Sequence, residues 1–300
     1  MAHGRLLLLD SASLYFRAFF GIPDSLKAPD GTVVNALRGI LDFTSTLATQ
    51  YEPEAIVACW DDDWRPQWRV DLIPSYKTQR LDTEGAEADT TGGLLGPQVP
   101  LIAEAFGLLG IPVVGAEGAE ADDIIGTFAT TWDGPVDIVT GDRDLFQLAD
   151  DARGVRILYV ARGVSNHDVV DNAWMRAKYA IDAASYVDFA VMRGDASDGL
   201  PGVAGIGDKT AAVLLAEFGD LDGILRAAED PSSSIKPRVR QSLLDSGDYI
   251  AAARTVVAVK RDACDVEVHT GPVQEDAFRA FGDTWGLGGA TDRILKALAT

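Results

Sequence analysis

The sequence predicts an α/β protein with a mostly parallel central sheet and helices on both faces, followed by a helical region. Short apolar runs that are typical of buried strands alternate with segments of helical periodicity over the first 180 residues or so. Such alternation is typical of parallel sheets whose faces are covered by helices. After about residue 180, strand patterns become rare, and helix and Gly-rich turn signals dominate.

The individual elements follow from periodicity. Residues 6–9 form an uninterrupted apolar run, as expected of a buried strand. Residues 34–51 repeat apolar side chains at Leu37, Ile40 and Leu47, which is typical of an amphipathic helix. The predicted strands are residues 6–9, 55–60, 112–114 and 136–140. The predicted helices of this part are residues 14–20, 34–51, 99–109 and 120–130.

Length and composition indicate the organisation of the chain. Three hundred residues exceed a typical single domain, and we predict an α/β core at 1–180 and a helical region at 181–300. Residues 81–96 carry almost no large apolar side chain and are expected to be mobile. No apolar run is long enough to span a membrane, and Cys59 and Cys264 form no disulfide framework. We expect a cytoplasmic protein.

The net charge of −20 argues by itself against a nucleic-acid partner, because phosphate binding usually needs an excess of Lys and Arg. Most of the acids are expected to lie on a solvated surface. Some of them, however, directly follow predicted strands. These acids are Asp10, the run Asp61-Asp62-Asp63, and Asp142 with Asp144.

Parallel strands present their carboxyl ends at one edge of the sheet, so these acids would share one pocket. Like charges so close together repel, and such a cluster persists only if cations neutralise it. Hard oxygen ligands in this number suit Mg²⁺ or Mn²⁺. A two-metal site activates water and stabilises the leaving oxygen of an in-line displacement, which makes phosphodiester hydrolysis the natural reaction.

Two further acidic groups join these three. Glu120, Asp122 and Asp123 lie at a predicted helix start, where acids also complement the helix dipole. Asp195 and Asp198 are three residues apart and could simply cap a turn. The five groups together favour a metal site. A phosphatase with an aspartyl nucleophile is disfavoured because no acid stands two residues after the first Asp, and no nucleotide-binding P-loop is present.

A Gly-rich segment at 201–210 precedes a predicted helix at 211–218. Gly205 and Gly207 allow close backbone approach, and backbone N–H groups at a helix N-terminus bind anions beside Lys209. The segment therefore predicts a phosphate-binding hairpin, with a tight interhelical turn as the alternative. A second cluster interleaves Arg65, Arg69, Lys77 and Arg80 with Trp64, Trp68 and Tyr76. It suits a frayed single strand, with solvated cations beside partly buried aromatics as the alternative.

Several of these motifs in combination resemble the bacterial 5′-nucleases of the flap endonuclease superfamily, which include the N-terminal nuclease domain of DNA polymerase I. The resemblance runs from Leu6 to about Phe281. It implies a PIN-like fold, a helix–two-turn–helix hairpin and an arch at about residues 75–97. The motifs are LLLLDSASLYFRAFF, PSYKTQR, GAEADDIIG, TGDRDLFQL and GDASDGLPGVAGIGDKTA.

The resemblance also implies roles for individual residues. One metal position would be served by Asp10, Asp61 or Asp62, Glu120 and Asp122. A neighbouring position would be served by Asp142, Asp144, Asp195 and Asp198, with Asp123 close by. Lys77 and Arg80 at the base of the arch, with Arg17, would act on the scissile phosphate. Tyr76 and the hairpin residues Gly205, Gly207, Lys209 and Thr210 would bind DNA, with a K⁺ ion at the hairpin.

The sequence departs from the family pattern at several positions. Ser11-Ala12 replaces the usual Gly-Asn, and Gly199 replaces an Asn, which changes the support of the metal ligands. The arch is acidic and Gly-rich, where relatives are more basic. No polymerase domain follows, so we expect a stand-alone enzyme.

The resemblance implies a divalent-metal-dependent flap endonuclease and 5′–3′ exonuclease acting in replication and repair. We expect a monomer near the nucleoid, with branched, flapped or nicked DNA and RNA–DNA hybrid flaps as substrates and no membrane partner. Two other functions compete. A junction-binding module with decayed catalysis is disfavoured because a binder gains nothing from so many close acids. A single-strand ribonuclease of a related small α/β fold would lack the hairpin at 201–210.

Overall fold

A six-stranded sheet lies at the centre of the structure, a computed structural model that describes residues 3–79, 93–266 and 268–299. The strands are β1 (Leu6–Asp10), β2 (Ala55–Cys59), β3 (Val113–Val114), β4 (Val136–Thr140), β5 (Val155–Tyr159) and β6 (Asp168–Val170). Their order is β3-β2-β1-β4-β5-β6, and only the β5–β6 pair is antiparallel. The predicted mostly parallel sheet is therefore confirmed, with two strands beyond the four predicted.

Helices cover both faces of this sheet. The first five are α1 (Ser11–Gly21), α2 (Asn35–Tyr51), α3 (Gln67–Leu72), α4 (Gln98–Leu108) and α5 (Ala121–Thr131). The next four are α6 (Asn172–Tyr179), α7 (Tyr186–Arg193), α8 (Asp208–Phe218) and α9 (Leu221–Glu229). The last four described are α10 (Pro237–Asp245), α11 (Gly247–Val257), α12 (Glu275–Thr284) and α13 (Gly289–Leu298). None of the described helices is long and apolar enough to cross a lipid bilayer.

The alternation of side chains along β1 divides the core into two layers. Leu6 and Leu8 point to one face, where they pack in a cluster that includes Phe128 of α5 and much of the helical region. Leu7 and Leu9 point to the other face and pack with α1, α2 and α4. The last helix, α13, returns to this second face and packs on α2. The apolar run of the first strand is thus explained by burial on both sides.

Buried polar side chains bind the helical region to the α/β core at residues 256–260. Arg69, only 2% exposed, donates from both terminal nitrogens to Asp123 at 2.7 and 2.8 Å and from Nε to the Val256 carbonyl at 3.2 Å. The Lys260 amide donates to Asp123 Oδ1 at 2.8 Å. Gln147 holds the same segment from the side, donating to the Val257 carbonyl at 3.0 Å. These contacts fix residues 256–260 of the helical region against α3 and α5 of the core.

Several boundaries differ from the predicted ones. Helix α1 begins at Ser11 rather than residue 14, because Asp10 Oδ1 accepts a hydrogen bond from the Ser13 amide and caps the helix. Helix α8 begins at Asp208 rather than residue 211. Residues 81–92 of the predicted mobile segment lie outside the described residues, whereas residues 93–96 form a turn before α4.

Replacing Arg69 by Gln should destabilise the protein by about 3–5 kcal/mol, because the buried Asp123 carboxylate loses its ionic partner. The measurement is chemical denaturation at neutral pH. The matched control is Arg176→Gln, whose ion pair with Asp182 is 61% and 50% exposed and should contribute less than about 1 kcal/mol. Equal losses in the two variants would contradict this role of Arg69.

Candidate active site

A cavity of about 570 Å³ opens at the carboxyl ends of β1, β2 and β4. This is the edge of a parallel sheet at which ligands commonly bind. Aromatic side chains of Tyr15, Phe16 and Trp64 form part of its wall, together with the cations Lys77 and Arg143. The acids that line it are Asp10, Asp61, Glu120, Asp122, Asp142 and Asp195.

Hydrogen bonds at the ends of three strands and at the start of α5 hold several of these acids in place. Thr140, the last residue of β4, donates to Asp10 Oδ2 at 2.6 Å and accepts from the Asp142 amide at 2.8 Å. Asp61, which follows β2, accepts from the Ala121 amide at 2.7 Å. The predicted convergence of strand-end acids is therefore present, and the contacts that create it run between neighbouring strands and the first turn of α5.

Two of the lining acids are already neutralised by cations. Glu120 accepts from Tyr76 Oη at 2.9 Å and from Lys77 Nζ, and Arg69 Nη1 lies 3.4 Å away. Burial still raises the pKa of Glu120, although Lys77 and Arg69 oppose the shift. Asp195 Oδ2 contacts Arg143 at 3.2 Å and Arg193 at 3.3 Å.

The pKa of Asp195 has the opposite shift. Burial alone would raise it, but hydrogen bonds from Ser197 and the charges of Arg143 and Arg193 lower it. The Asp195 carboxylate is thus stable in its ionised form without any further ligand.

Three other acids, the buried Asp10 and the half-buried Asp122 and Asp144, have no such ion pair among the described residues. Burial, with further repulsion from Asp61 and Asp142, raises the pKa of Asp10 to about 7. Burial and the neighbouring Asp142 also raise the pKa of Asp122 and of Asp144 well above the ordinary value. Within the described residues, no hydrogen-bond donor contacts the carboxylates of Asp122 or Asp144. These side chains therefore require added positive charge to ionise together.

The donor chemistry of the cavity fits a hard divalent cation, since the uncompensated ligands are carboxylate oxygens. Among the described residues, no three His, Cys, Asp or Glu side chains stand close enough to hold an ion as they lie. Binding of an ion would therefore be accompanied by movement of side chains toward it. Asp144 and the buried Asp198 lie behind the wall, close enough for each to affect the other's charge.

Several predicted site residues lie outside the cavity wall. Asp62 is exposed and packs over Gly115 instead, because the chain turns after β2 and places only Asp61 in the cavity. Asp123 is wholly buried and accepts hydrogen bonds from Arg69, from the Lys260 amide and from the Glu120 amide. Neither carboxylate lines the cavity, so of the two alternatives at the end of β2 it is Asp61 that reaches it, and Asp123 lies behind it in contact with Arg69.

Side chains of the predicted basic cluster also point into the protein rather than toward solvent. Tyr76, predicted to bind DNA, is 4% exposed and donates to Glu120, so its ring packs in the core of this structure. Arg65 donates to the Tyr76 carbonyl at 2.7 Å, and Lys77 is buried against Glu120. Of the cations in this cluster, Arg69 and Lys77 pair with buried acids, whereas the Arg65 side chain contacts backbone carbonyls.

Arg17 and Arg80 complete the predicted catalytic set. Arg17 lies beside the cavity rather than in its wall: its guanidinium packs against Gly141 and donates to the Ala161 carbonyl at 3.1 Å. Arg80 lies outside the described residues.

The unusual Gly199 has a structural explanation. It adopts a φ of +71°, and a Cβ at this position would lie 2.0 Å from the Ser75 carbonyl oxygen. Ser75 Oγ donates to the Gly199 carbonyl at 2.8 Å, and the Lys77 amide donates to the Asp198 carbonyl at 3.0 Å. The backbone at the start of the predicted arch thus packs directly on the turn that carries Asp195 and Asp198, and only glycine allows this approach.

The predicted hairpin is a turn that leads into α8. Val203 and Ile206 anchor it in the core, whereas Gly205, with a φ of +82°, and Gly207 are exposed. Gly207 is the residue before the first turn of α8. Lys209 is exposed and Thr210 half-buried, so backbone N–H groups and one cation face solvent together at this helix N-terminus.

Three site residues were missed by the sequence analysis. Thr140 and Arg143 stand inside the quoted motif TGDRDLFQL, and Arg193 directly precedes GDASDGLPG. The signal for Thr140 was its place at the strand end, where its hydroxyl bridges Asp10 and Asp142. No local pattern indicates which of several nearby acids an arginine will contact.

An α/β core that collects acids from parallel strands in one cavity, joined to a helical region with a Gly-rich hairpin, defines the class of the structure-specific 5′-nucleases. A family model described as the 5′-3′ exonuclease N-terminal resolvase-like domain matches residues 5–180. One described as the 5′-3′ exonuclease C-terminal SAM fold matches residues 181–277. The chain belongs to the 5′-3′ exonuclease family.

Individual relatives agree with this assignment. A 5′-3′ exonuclease of Streptomyces coelicolor is 54% identical over 299 residues, covering 97% of this chain and 99% of the relative. DNA polymerase I of Mycobacterium tuberculosis is 36% identical over 86% of this chain, which corresponds to 27% of the polymerase. The fold is similar to that of the bacteriophage T5 D15 flap endonuclease, solved with DNA and metal ions, with a TM-score of 0.68, 19% identity and coverage of 99% and 100%.

The raised pKa of Asp10 predicts how stability depends on pH in the presence of a chelator. The carboxyl is easier to protonate in the folded state, with a pKa of about 7, than in the unfolded chain, with 3.8. Its contribution to stability is therefore complete below pH 3.8 and is lost as pH rises through 7. Between these values, Asp10→Asn should remove a slope of up to about 1.4 kcal/mol per pH unit.

The measurement is the free energy of unfolding of the parent and of Asp10→Asn, by denaturant titration from pH 4.5 to 8. The two curves should diverge with the parent falling more steeply. Parallel curves would mean that Asp10 ionises in the folded protein as easily as in the unfolded chain.

Proposed function

We propose that this chain is a divalent-metal-dependent flap endonuclease and 5′–3′ exonuclease that hydrolyses phosphodiester bonds of branched, flapped or nicked DNA. The observation that carries the proposal is a set of acids without a cationic partner among the described residues: Asp10 and Asp122 in the wall of a cavity that opens at the strand ends, and Asp144 close to it. Mg²⁺ or Mn²⁺, two or more ions, would supply the missing positive charge. When bound, such ions lower the pKa of an attacking water and stabilise the leaving oxygen.

The acids divide naturally into two groups that would hold these ions. Asp10, Asp61 and Asp122, with Glu120 beside them, come from β1, β2 and α5. Asp142, Asp144, Asp195 and Asp198 come from the end of β4 and from the turn after α7. Thr140 keeps the two groups in register, because its hydroxyl contacts both Asp10 and the Asp142 amide.

Cations around the cavity would act on the negatively charged phosphate. Lys77 lies in the cavity wall and is fixed by Glu120 and by its own backbone contact with Asp198. A fixed positive charge at this place would stabilise the charge that develops on the scissile phosphate. Arg17 would act from beside Gly141, and we assign Arg80 the same kind of role from the base of the arch.

The hairpin is proposed to hold duplex DNA. The exposed N-terminus of α8, with Gly205, Gly207, Lys209 and Thr210, offers backbone N–H groups and one cation to a phosphate. Such contacts position a duplex without reading its sequence, which suits an enzyme that recognises junctions. A K⁺ ion at this hairpin and RNA–DNA hybrid flaps as further substrates belong to the same proposal, as do a role in replication and repair, a monomeric state and a location at the nucleoid.

A junction-binding protein without catalysis is the second candidate. It would need the hairpin but not the uncompensated charge of Asp122 and Asp144, which destabilises the fold when no cation is present. The presence of these two acids, Asp122 in the wall of an accessible cavity and Asp144 near it, favours the active enzyme.

Cleavage of a labelled 5′-flap duplex in Mg²⁺ or Mn²⁺ tests the proposal, with nicked and single-stranded DNA as companion substrates. Asp122→Asn should lower the single-turnover rate by on the order of hundred-fold or more, because it removes an uncompensated ligand of the metal. Asp62→Asn is the matched control: it makes the same chemical change on an exposed acid outside the cavity and should remain within a few-fold of the parent.

Two results would contradict the proposal. One is a parent protein that binds the flap but does not cut it with either ion, as the junction-binding candidate requires. The other is equal activity of Asp122→Asn and the parent, which would place the chemistry elsewhere.

A further inference from the structure

Among the described residues, each group of acids has one cation in the cavity wall. Lys77 contacts Glu120 in the first group, and Arg143 contacts Asp195 in the second. The two ion pairs differ greatly in burial. The Lys77 and Glu120 side chains are 7% and 4% exposed, whereas the Arg143 side chain is 43% exposed against 11% for Asp195. Arg143 is thus the more accessible of these two cations.

Arg143 is also held by few contacts. Among the described residues its guanidinium makes one ion pair, the 3.2 Å contact with Asp195. An ion pair that is this exposed stabilises a protein only slightly. Arg69, by comparison, makes two contacts with Asp123 and one with a carbonyl in a fully buried setting.

Asp195 does not depend on Arg143 for its neutralisation. Arg193 contacts the same Oδ2 atom at 3.3 Å, has an exposure of 11% and is fixed by a 3.0 Å hydrogen bond from Nε to the Gly194 carbonyl. Ser197 donates to the other oxygen, Oδ1, from its amide at 2.9 Å. Arg143 can therefore leave Asp195 without exposing an unpaired buried carboxylate.

The location of Arg143 connects it with both cation and substrate. It contacts Asp195 and shares the cavity wall with Asp142, so its charge competes with a divalent ion that the second group of acids attracts. Once released, a guanidinium on the cavity wall is well suited to a phosphate, because its planar donors match two phosphate oxygens.

We propose that Arg143 is an exchangeable counter-ion of the second acidic group. It neutralises Asp195 in the free protein, leaves when a divalent cation binds there, and then contacts a phosphate of the DNA strand in the cavity. The inference rests on the proposed nuclease function. If so, each of the metal and the substrate should increase the affinity for the other, because a bound metal releases the Arg143 guanidinium for the phosphate.

The first test is equilibrium binding of Mn²⁺ without DNA, followed by the electron paramagnetic resonance signal of the free ion. Arg143→Gln should bind Mn²⁺ about three- to ten-fold more tightly than the parent, because one competing positive charge is removed. Arg143→Lys keeps the charge and should resemble the parent. Arg176→Gln, which removes an exposed arginine from α6 far along the chain, should leave the affinity unchanged.

The second test is the salt dependence of substrate binding, from the enzyme concentration that gives half the maximal single-turnover rate on the flap. For Arg143→Gln, the slope of this affinity against salt on logarithmic axes should become shallower by about one unit, as expected for the loss of one phosphate contact. Arg143→Lys should keep most of the slope.

The possible outcomes distinguish the counter-ion role of Arg143 from its phosphate contact, and both of them from the proposed nuclease function. Unchanged or weaker Mn²⁺ binding by Arg143→Gln would overturn the counter-ion role. An unchanged salt slope would overturn the phosphate contact. A parent that binds no Mn²⁺ at all would instead show that the proposed metal-dependent function is wrong, and the inference would fall with it.

Discussion

Repulsion between carboxylates at one edge of the sheet is the constraint on which the rest of this site depends. Parallel strands bring Asp10, Asp61 and Asp142 to the same cavity, where like charges repel one another. Some acids of the site are neutralised by cations of the same chain, and others are not. Glu120 and Asp195 have cationic partners, whereas burial and neighbouring acids raise the pKa of Asp10, Asp122 and Asp144.

The pairing of some acids with cations of the same chain helps to explain how a member of the 5′-3′ exonuclease family can be so strongly acidic. Basic residues near the cavity are largely committed to acids of the same chain: Arg69 to Asp123, Lys77 to Glu120. They offset the cost of gathering carboxylates and fix their positions. Under the proposed function, substrate affinity would come from the hairpin, from bound divalent ions and from the loosely held Arg143.

The sequence was sufficient to predict which strands deliver acids to the site, because an apolar run followed by Asp has a defined direction in a parallel sheet. It was not sufficient to distinguish adjacent acids. Asp61 and Asp62 are equivalent in the pattern, yet only Asp61 reaches the Ala121 amide and the cavity. Asp122 and Asp123 differ for a similar reason, since the choice depends on where Arg69 lies after folding. A contact between residues far apart in the chain, such as Arg69 and Asp123, produces no recognisable pattern in the local sequence.

Gly199 is another position whose structural role could not be predicted from the sequence. There it stands where the family pattern has an Asn, which predicts altered support of the metal ligands. In the structure it allows the Ser75 backbone to approach the turn that carries Asp195 and Asp198, which positions Lys77 in the cavity wall. Glycine in place of Asn at position 199 therefore changes both the packing and the polarity of the site.

The most direct test of the central claim, that uncompensated carboxylate charge is held for divalent cations, is thermal unfolding of the DNA-free protein at pH 8 in chelator and in millimolar Mn²⁺. Ions that bind only the folded state should stabilise it by about 2.7 kcal/mol at a hundred times their dissociation constant. The account predicts a clear rise of the melting temperature with Mn²⁺. Identical melting temperatures in the two conditions would contradict it.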